Sequence, residues 1–254
     1  MVWSAVIAVG IGAAASVGMA LVGLRISRSG SMPDTGPAVG NAAGVVFSFF
    51  VITLAFLMVS SAQNLATARQ NNYAEAGALM DIYLTARDVP QPVGRELRDH
   101  SRRYAHLVID EEWPAMEHGH MDTDTWAMAY GLQLLSTTKM PEATKPAAAG
   151  AARDASLRLL QQRRMRVADV QGGMPPVMLG TTLGAAALAL AFLVLIGWPG
   201  GRRGFWAIAA LGAVCAYGIW LVIQLNHAYA GIHVEPSAFR EALVRMDFVD
   251  SHGI

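Results

Sequence analysis

Four stretches of the chain are apolar and carry no charged side chain: 2–24, 35–68, 170–201 and 204–234. The hydrocarbon core of a bilayer, about 30 Å thick, needs about 20 apolar residues in a helix. Inside lipid, backbone groups must be satisfied within the segment, so each stretch is expected to be a helix. The predicted membrane helices are 2–24, 42–61, 174–198 and 205–225.

The second apolar stretch does not end at the membrane surface. After Val59 the sequence turns polar without Pro or Gly, and small or apolar residues continue at helical spacings of three and four. These residues are Leu65, Ala68, Asn72, Ala76, Leu79 and Tyr83. The pattern predicts one helix that leaves the bilayer and runs on to about Arg87.

The rest of the region between the second and third membrane helices is also predicted to be helical. Its helices are expected over 92–112, 124–138 and 147–170, with Trp113-Pro114 ending the first of them. Pro236 begins a last amphipathic helix to about Val249. The predicted organisation is a membrane hairpin (1–61), a soluble helical domain continuous with helix two (62–172), a second membrane hairpin (173–226) and a C-terminal amphipathic helix (227–254).

Composition agrees with an all-α, polytopic membrane protein that has four transmembrane helices and an inserted helical soluble domain. Hydrophobic residues make up 54% of the chain and charged residues 15%, against about 25% charged in soluble domains. The net charge is zero, which argues against nucleic acid as a partner because phosphate binding needs a basic surface. The partner that composition predicts is membrane lipid.

Arginines near the helix ends favour one orientation in the cell membrane. The short loops carry Arg25, Arg28, Arg202 and Arg203. The opposite side carries Arg69, Arg158, Arg163, Arg164, Arg166 and Arg240. By the positive-inside rule, six against four predicts that the inserted domain and both termini are cytoplasmic.

Three groups of residues carry a resemblance to a known family. The first is Phe47-Ser48-Phe49-Phe50 with Leu65, Arg69, Glu75-Ala76 and Tyr83-Leu84. The second is Arg95-Glu96-Leu97-Arg98 with Tyr104 and Trp113. The third is Leu225-Asn226-His227-Ala228-Tyr229-Ala230-Gly231 with Val234-Glu235-Pro236-Ser237-Ala238-Phe239. With the order of elements, these resemble the bestrophin-like family of bacterial membrane proteins of unknown function, although the family usually has Asp at Asn226 and Pro at Ala228.

The resemblance implies a pentameric anion channel, since bestrophins are calcium-gated anion channels whose pore is lined mainly by the second helix. Bestrophins hold calcium with an acidic cluster near the end of the soluble region. This chain has no acidic run at a matching place, where Glu235 stands nearly alone. Calcium gating is therefore not expected, and no cofactor is predicted.

The second helix supplies the candidate pore-lining residues. They are Phe47, Phe50, Leu54, Met58 and Ser61. Rings of apolar side chains can gate a pore by dewetting, and hydroxyl groups can replace part of an ion's hydration shell. The alternative is ordinary packing of this helix against its neighbours. No Asp, Glu or His lies deep in the predicted spans, which counts against a proton pump.

Two further groups of polar residues were candidates for binding. Arg163, Arg164 and Arg166 precede the third membrane helix and could attract anions; the alternative is a solvated basic face that fixes topology. The loop from Asp110 to Asp124 is acidic and holds His118-Gly119-His120, but its spacing matches no metal-site template, so no metal is predicted.

The sequence contains no nucleophile elbow, phosphate-binding loop or dinucleotide fingerprint, so no enzyme activity is expected. The leading hypothesis is an oligomeric, bestrophin-like passive ion channel. The competing hypothesis is a non-conducting membrane protein whose helical domain binds a partner or senses the state of the envelope.

Overall fold

The computed structural model describes residues 2–28, 37–172, 176–196, 201–226, 228–229 and 234–253, and this part of the chain is built from helices. In chain order they are α1 (Val2–Arg28), α2 (Pro37–Thr85), α3 (Val93–Leu107), α4 (Trp113–Glu117), α5 (Thr123–Ser136), α6 (Pro146–Gln171), α7 (Pro176–Ile196), α8 (Gly201–Leu225) and α9 (Ser237–His252). Contacts divide the chain into two units. We call Met1–Gln63 with Met174–Asn226 the membrane unit, and Asn64–Gly173 with His227–Ile254 the inserted unit.

The membrane unit exposes apolar side chains, as a protein in lipid does. Three helical stretches of the described chain are long and apolar enough to cross a bilayer: Ser4–Val22, Asn41–Asp88 and Ile208–Leu225. The apolar stretch of α7, Gly180–Ala191, is shorter. The predicted all-α, polytopic membrane fold is confirmed, and the number of four spans stays a prediction.

Small residues allow α1 and α8 to pack closely. Gly12 and Gly212 approach each other so nearly that a side chain on either would meet the other's carbonyl oxygen. At the same crossing Ser16 donates a hydrogen bond from Oγ to the carbonyl oxygen of Ile208, at 3.0 Å. Helices in lipid associate through such close contacts and hydrogen bonds, because lipid removes the hydrophobic driving force between them.

Helix α2 is shared by the two units. It has 49 residues, which at 1.5 Å per residue is about 70 Å, more than twice the thickness of a hydrocarbon core. A 3₁₀ turn, Ala86–Asp88, follows its end. The amino-terminal part of α2 therefore belongs to the membrane unit and its carboxyl-terminal part to the inserted unit.

The inserted unit is a helical bundle in which α3 packs on α5 and α9, and α5 packs on α6. The expectation that Trp113-Pro114 ends the helix predicted over 92–112 is wrong. A π-helical turn, Val108–Glu112, follows α3 and leads directly into α4, and the Trp113 amide donates to the carbonyl oxygen of Val108 five residues earlier. The wider turn accommodates Pro114, which lacks an N–H group and would crowd the preceding turn of an α-helix.

Candidate functional site

One face of α2 is packed inside the membrane unit. Phe50, only 1% exposed, lies in a cluster with Ala185 and Ala186 of α7 and Cys215 of α8. Leu57, seven residues or about two helical turns further along, is equally buried. This face holds α2 against the neighbouring helices.

The opposite face of α2 remains open within the protomer. Phe56 is 59% exposed, and Phe49, Ile52 and Val59 are exposed to a similar degree. Their spacing of three and four residues puts them on one side of the helix. An apolar face of this kind is available to lipid, to another copy of the chain, or to a pore.

The five predicted pore-lining residues belong mainly to the packed side. Phe50 and Ser61 are buried within the protomer, as the packing alternative expects. Phe47 and Leu54 pack partly against the same cluster, and Met58 is half-buried. A pore-lining role stays a prediction for all five residues.

Two of the three candidate anion-attracting arginines are in the interior of the inserted unit. Arg163 and Arg166 are 0% exposed, and only Arg164 lies at the surface. The alternative of a solvated basic face is therefore wrong for Arg163 and Arg166. Both follow Leu159 along the buried side of α6, at intervals of four and three residues.

The two buried arginines form an ion-pair network with two buried glutamates and a tyrosine, and we call these five residues the buried network: Glu75, Tyr104, Glu112, Arg163 and Arg166. Arg163 donates through both terminal nitrogens to the two carboxylate oxygens of Glu112, at 2.8 and 2.5 Å. Arg166 donates to Glu75 Oε1 at 2.5 Å and lies 3.1 Å from Glu112 Oε2. The Tyr104 hydroxyl donates to Glu75 Oε1 and accepts from Arg163 at 3.1 Å.

Aromatic rings cover the guanidinium groups of this network. Arg163 lies over the Trp126 ring of α5 at 4.5 Å, and Arg166 lies over the Phe239 ring of α9 at 5.2 Å. Two cations and two carboxylates give a neutral cluster when both carboxyls are ionised. The network therefore joins α2, the π-helical turn and α6 through ion pairs, α3 through the hydrogen bonds of Tyr104, and α5 and α9 through ring contacts.

Burial shifts the proton affinities of the network. It is the largest influence on Glu75 and raises the pKa of that carboxyl, although Arg166 and Arg163 oppose the shift. Burial also raises the pKa of the Tyr104 hydroxyl, with Glu75 acting in the same direction. Burial opposes the charge on Arg166, but Glu75 and Glu112 outweigh it and raise the pKa of the guanidinium.

Comparison with known proteins identifies the family. The sequence profile of the bestrophin-like domain matches residues 8–239. The chain belongs to the bestrophin-like family. Two solved structures similar to it are a bacterial bestrophin homologue from Klebsiella pneumoniae (TM-score 0.72, 12% identity, covering 96% of this chain and 98% of that one) and a mutant of that homologue (TM-score 0.73, 12% identity, 97% and 99%). No curated protein sequence shows significant similarity to the chain. At this identity the structural similarity establishes the bestrophin fold.

A second charged cluster of this bestrophin-like chain attaches α9 to the rest of the inserted unit. Arg102 of α3 donates to Asp247 at 2.6 Å and to Asp250 at 2.8 Å. Tyr83 of α2 donates to the other oxygen of Asp250 at 2.6 Å. Unlike the buried network, this cluster is partly exposed to solvent.

In the part of the bestrophin-like chain that the structure describes, no three His, Cys, Asp or Glu side chains converge as metal ligands. His118, in the acidic loop, is exposed, and its Nδ1 contacts the carbonyl oxygen of Pro114 at 3.0 Å. His227 lies outside the described residues.

Sequence reasoning missed the role of the buried network. Glu75 and Tyr104 enter the sequence analysis with the family resemblance, and Glu112 as part of an acidic loop. One signal was available: Glu75 follows Asn72 and precedes Leu79 on the apolar side of α2, where a charged residue requires a buried partner. The partner could not be identified, because it comes from α6, some 90 residues along the chain.

Proposed function

We propose that this bestrophin-like protein is a homo-oligomeric, passive ion channel for anions, with a pore lined by α2. The observation that carries the proposal is the two-sided character of α2, whose packed face is held by α7 and α8 while its apolar face stays open in the protomer. In a ring of copies the open face is available to border a central path. The anion preference and the ring assembly rest on the resemblance to bestrophins.

The open face also suggests how such a pore is closed. Ile52, Phe56 and Val59 follow one another along it, and rings of such side chains exclude water from a narrow passage. A passive mechanism is supported by the four predicted spans, which carry no side chain charged at neutral pH. Transporters driven by ion gradients usually place such groups at mid-membrane. We further propose that the inserted unit is cytoplasmic.

The test compares two phenylalanines on opposite faces of the same helix. Halide flux is measured in proteoliposomes that hold the purified protein, the Phe56→Ala variant or the Phe50→Ala variant. We expect Phe56→Ala to raise the flux or change its selectivity without lowering the melting temperature. Phe50→Ala is expected to lower the melting temperature, because it leaves a cavity in the packed cluster.

Several results would decide against this proposal. No flux from folded, inserted protein at any pH would favour the non-conducting alternative. Flux that is unaffected by alanine at Ile52, Phe56 and Val59 in turn would remove the open face from the conducting path. Cation flux without halide flux would overturn the anion preference.

A further inference from the structure

The two buried glutamates of the network are held differently. Both oxygens of Glu112 are engaged by Arg163, and one of them also faces Arg166. Glu75 uses only Oε1, which accepts from Arg166 and Tyr104. Its Oε2 is buried and has no hydrogen-bond partner among the described residues. Glu75 is therefore the carboxyl of the network with an oxygen free to take a proton.

The arrangement around Arg166 permits two charge states. Its Nη2 group serves Glu75 and Glu112 together. When Glu75 is ionised, Arg166 is shared between two carboxylates and the network is neutral. When Glu75 carries a proton, Glu112 still faces Arg166 with a full charge, so the guanidinium keeps an ionic partner in both states.

We infer that Glu75 is a buried proton-binding site. When Glu75 is ionised, Arg166 pairs with both Glu75 of α2 and Glu112 of the π-helical turn; when Glu75 is protonated, Arg166 has an ionic partner only in Glu112. Glu75 lies on α2, whereas Arg166 lies on α6 and contacts the Phe239 ring of α9. Proton uptake weakens the ionic link between α2 and α6. The strength with which the inserted unit holds α2 then depends on pH.

The groups that face Glu75 come from every element packed around it. They are Arg166 and Arg163 of α6, Tyr104 of α3 and Glu112 of the π-helical turn. Glu75 also acts electrostatically on the Tyr229 hydroxyl. Burial raises the pKa of Glu75 above its ordinary value of 4.5, and the nearby Glu112 charge adds to this, against the two arginines and the Tyr104 hydrogen bond. Proton release from Glu75 is therefore expected above the range of exposed carboxyl groups.

The first test measures melting temperature against pH in detergent for the unmodified protein and for the Glu75→Gln variant. A raised pKa means that the folded protein keeps a proton which the unfolded chain releases above pH 4.5. The melting temperature of the unmodified protein minus that of Glu75→Gln is therefore highest at low pH. We expect this difference to fall as pH rises to 8.

The matched control is Glu241→Gln, which changes an exposed carboxyl on α9. Its difference from the unmodified protein is expected not to fall over this range. A difference for Glu75→Gln that stays constant, or that grows as pH rises, would overturn the proton site, because it means that the carboxyl is ionised throughout.

A second measurement needs no variant, and its negative result overturns the proton site even if Glu75→Gln does not fold. Infrared spectra of the unmodified protein are expected to show a protonated carboxyl band that persists to pH values at which exposed carboxyls, with pKa near 4.3, are ionised. Absence of that band would also overturn the proton site.

The link to conduction rests on the proposed function and is tested separately. Halide flux through the unmodified protein is expected to change over the same pH range, and flux through Glu75→Gln to stay constant. The same pH dependence in both proteins would overturn the link. If neither protein conducts, the channel proposal fails, while melting and infrared spectra still decide the proton site.

Discussion

At the scale of single residues, Tyr104 tests how much the buried network contributes to stability. Its buried hydroxyl donates to Glu75 and accepts from Arg163 at 3.1 Å. Arg166 also donates to this hydroxyl, at 3.4 Å. Tyr104→Phe leaves the three charged partners in place and removes only the hydroxyl group that they share. Hydrogen bonds to charged groups are worth about 2 kcal/mol, so the melting temperature is expected to fall by about 4–8 °C.

The control for this prediction is Tyr130→Phe, which makes the same chemical change at an exposed ring stacked on Trp126. It is expected to leave the melting temperature unchanged. If Tyr104→Phe melts like the control, the hydroxyl adds nothing that the ring alone does not provide.

The same five residues mark the limit of what the sequence could predict about the candidate site. Residue spacing could show that Arg163 and Arg166 follow Leu159 on one side of a helix. It could not show that Glu75 and Glu112 neutralise them, because that pairing depends on the packing of three distant segments. Arginine near a membrane helix is commonly a surface residue, and this general tendency led to the solvated-face alternative.

At the scale of the helices, the crossing of α1 and α8 depends on the absence of side chains. A Cβ atom on Gly212 would come within 2.5 Å of the Ser16 Cβ and would also meet the Gly12 carbonyl oxygen. Gly212→Val is therefore expected to separate the helices and to cost about 1–3 kcal/mol. The expected result is a lower melting temperature in detergent.

Gly18→Val on α1 is the matched control, because no atom outside the local helix lies within 4 Å of a Cβ built there. It is expected to melt close to the unmodified protein. Equal loss in the two variants would show that valine acts through the helix backbone and not through the crossing.

A second prediction at this scale concerns the attachment of α9. The hydrogen bond from Tyr83 is the largest influence on Asp250 and lowers the pKa of that carboxyl below its ordinary value of 3.8, with help from Arg102. A lowered pKa gives stability that is present above pH 3.8 and is lost as pH falls through the folded value. Asp250→Asn is therefore expected to lower the melting temperature at pH 7 by about 1–3 °C and to have a smaller effect near pH 3.

Asp154→Asn, at an exposed carboxylate of α6, serves as the control for Asp250→Asn and is expected to change little at either pH. A larger effect of Asp250→Asn at acid pH than at pH 7 would contradict the prediction. It would mean that the charge on Asp250 opposes the attachment of α9.

Helices were easier to predict than the contacts between them. Long apolar stretches without charged residues indicated the membrane helices. The lack of Pro or Gly after Val59 indicated that α2 continues past the membrane surface. Pro114 was misleading, because Pro normally ends a helix and the sequence does not reveal a π-helical turn that accommodates it. Rules based on local sequence predicted where helices run. They failed at the π-helical turn, where the Trp113 amide bonds to the carbonyl oxygen five residues earlier instead of four.

At the scale of the whole molecule, orientation decides which compartment the inserted unit samples, and therefore which pH reaches the buried network. The six arginines on the side of the inserted unit against four on the other predict a cytoplasmic location. Lys139, exposed at the end of α5, is suited to a labelling test because Cys215 is the sole cysteine. A Cys215→Ser chain with Lys139→Cys then carries one reporter thiol.

A membrane-impermeant maleimide is applied to intact bacterial cells and to inverted vesicles that contain this variant. Labelling is expected in the vesicles and not in the cells, while Cys215→Ser alone labels in neither. Labelling of intact cells would reverse the orientation, and the proton site at Glu75 would then respond to the outside of the cell. The cytoplasmic result would instead make Glu75 a site through which internal pH acts on α2.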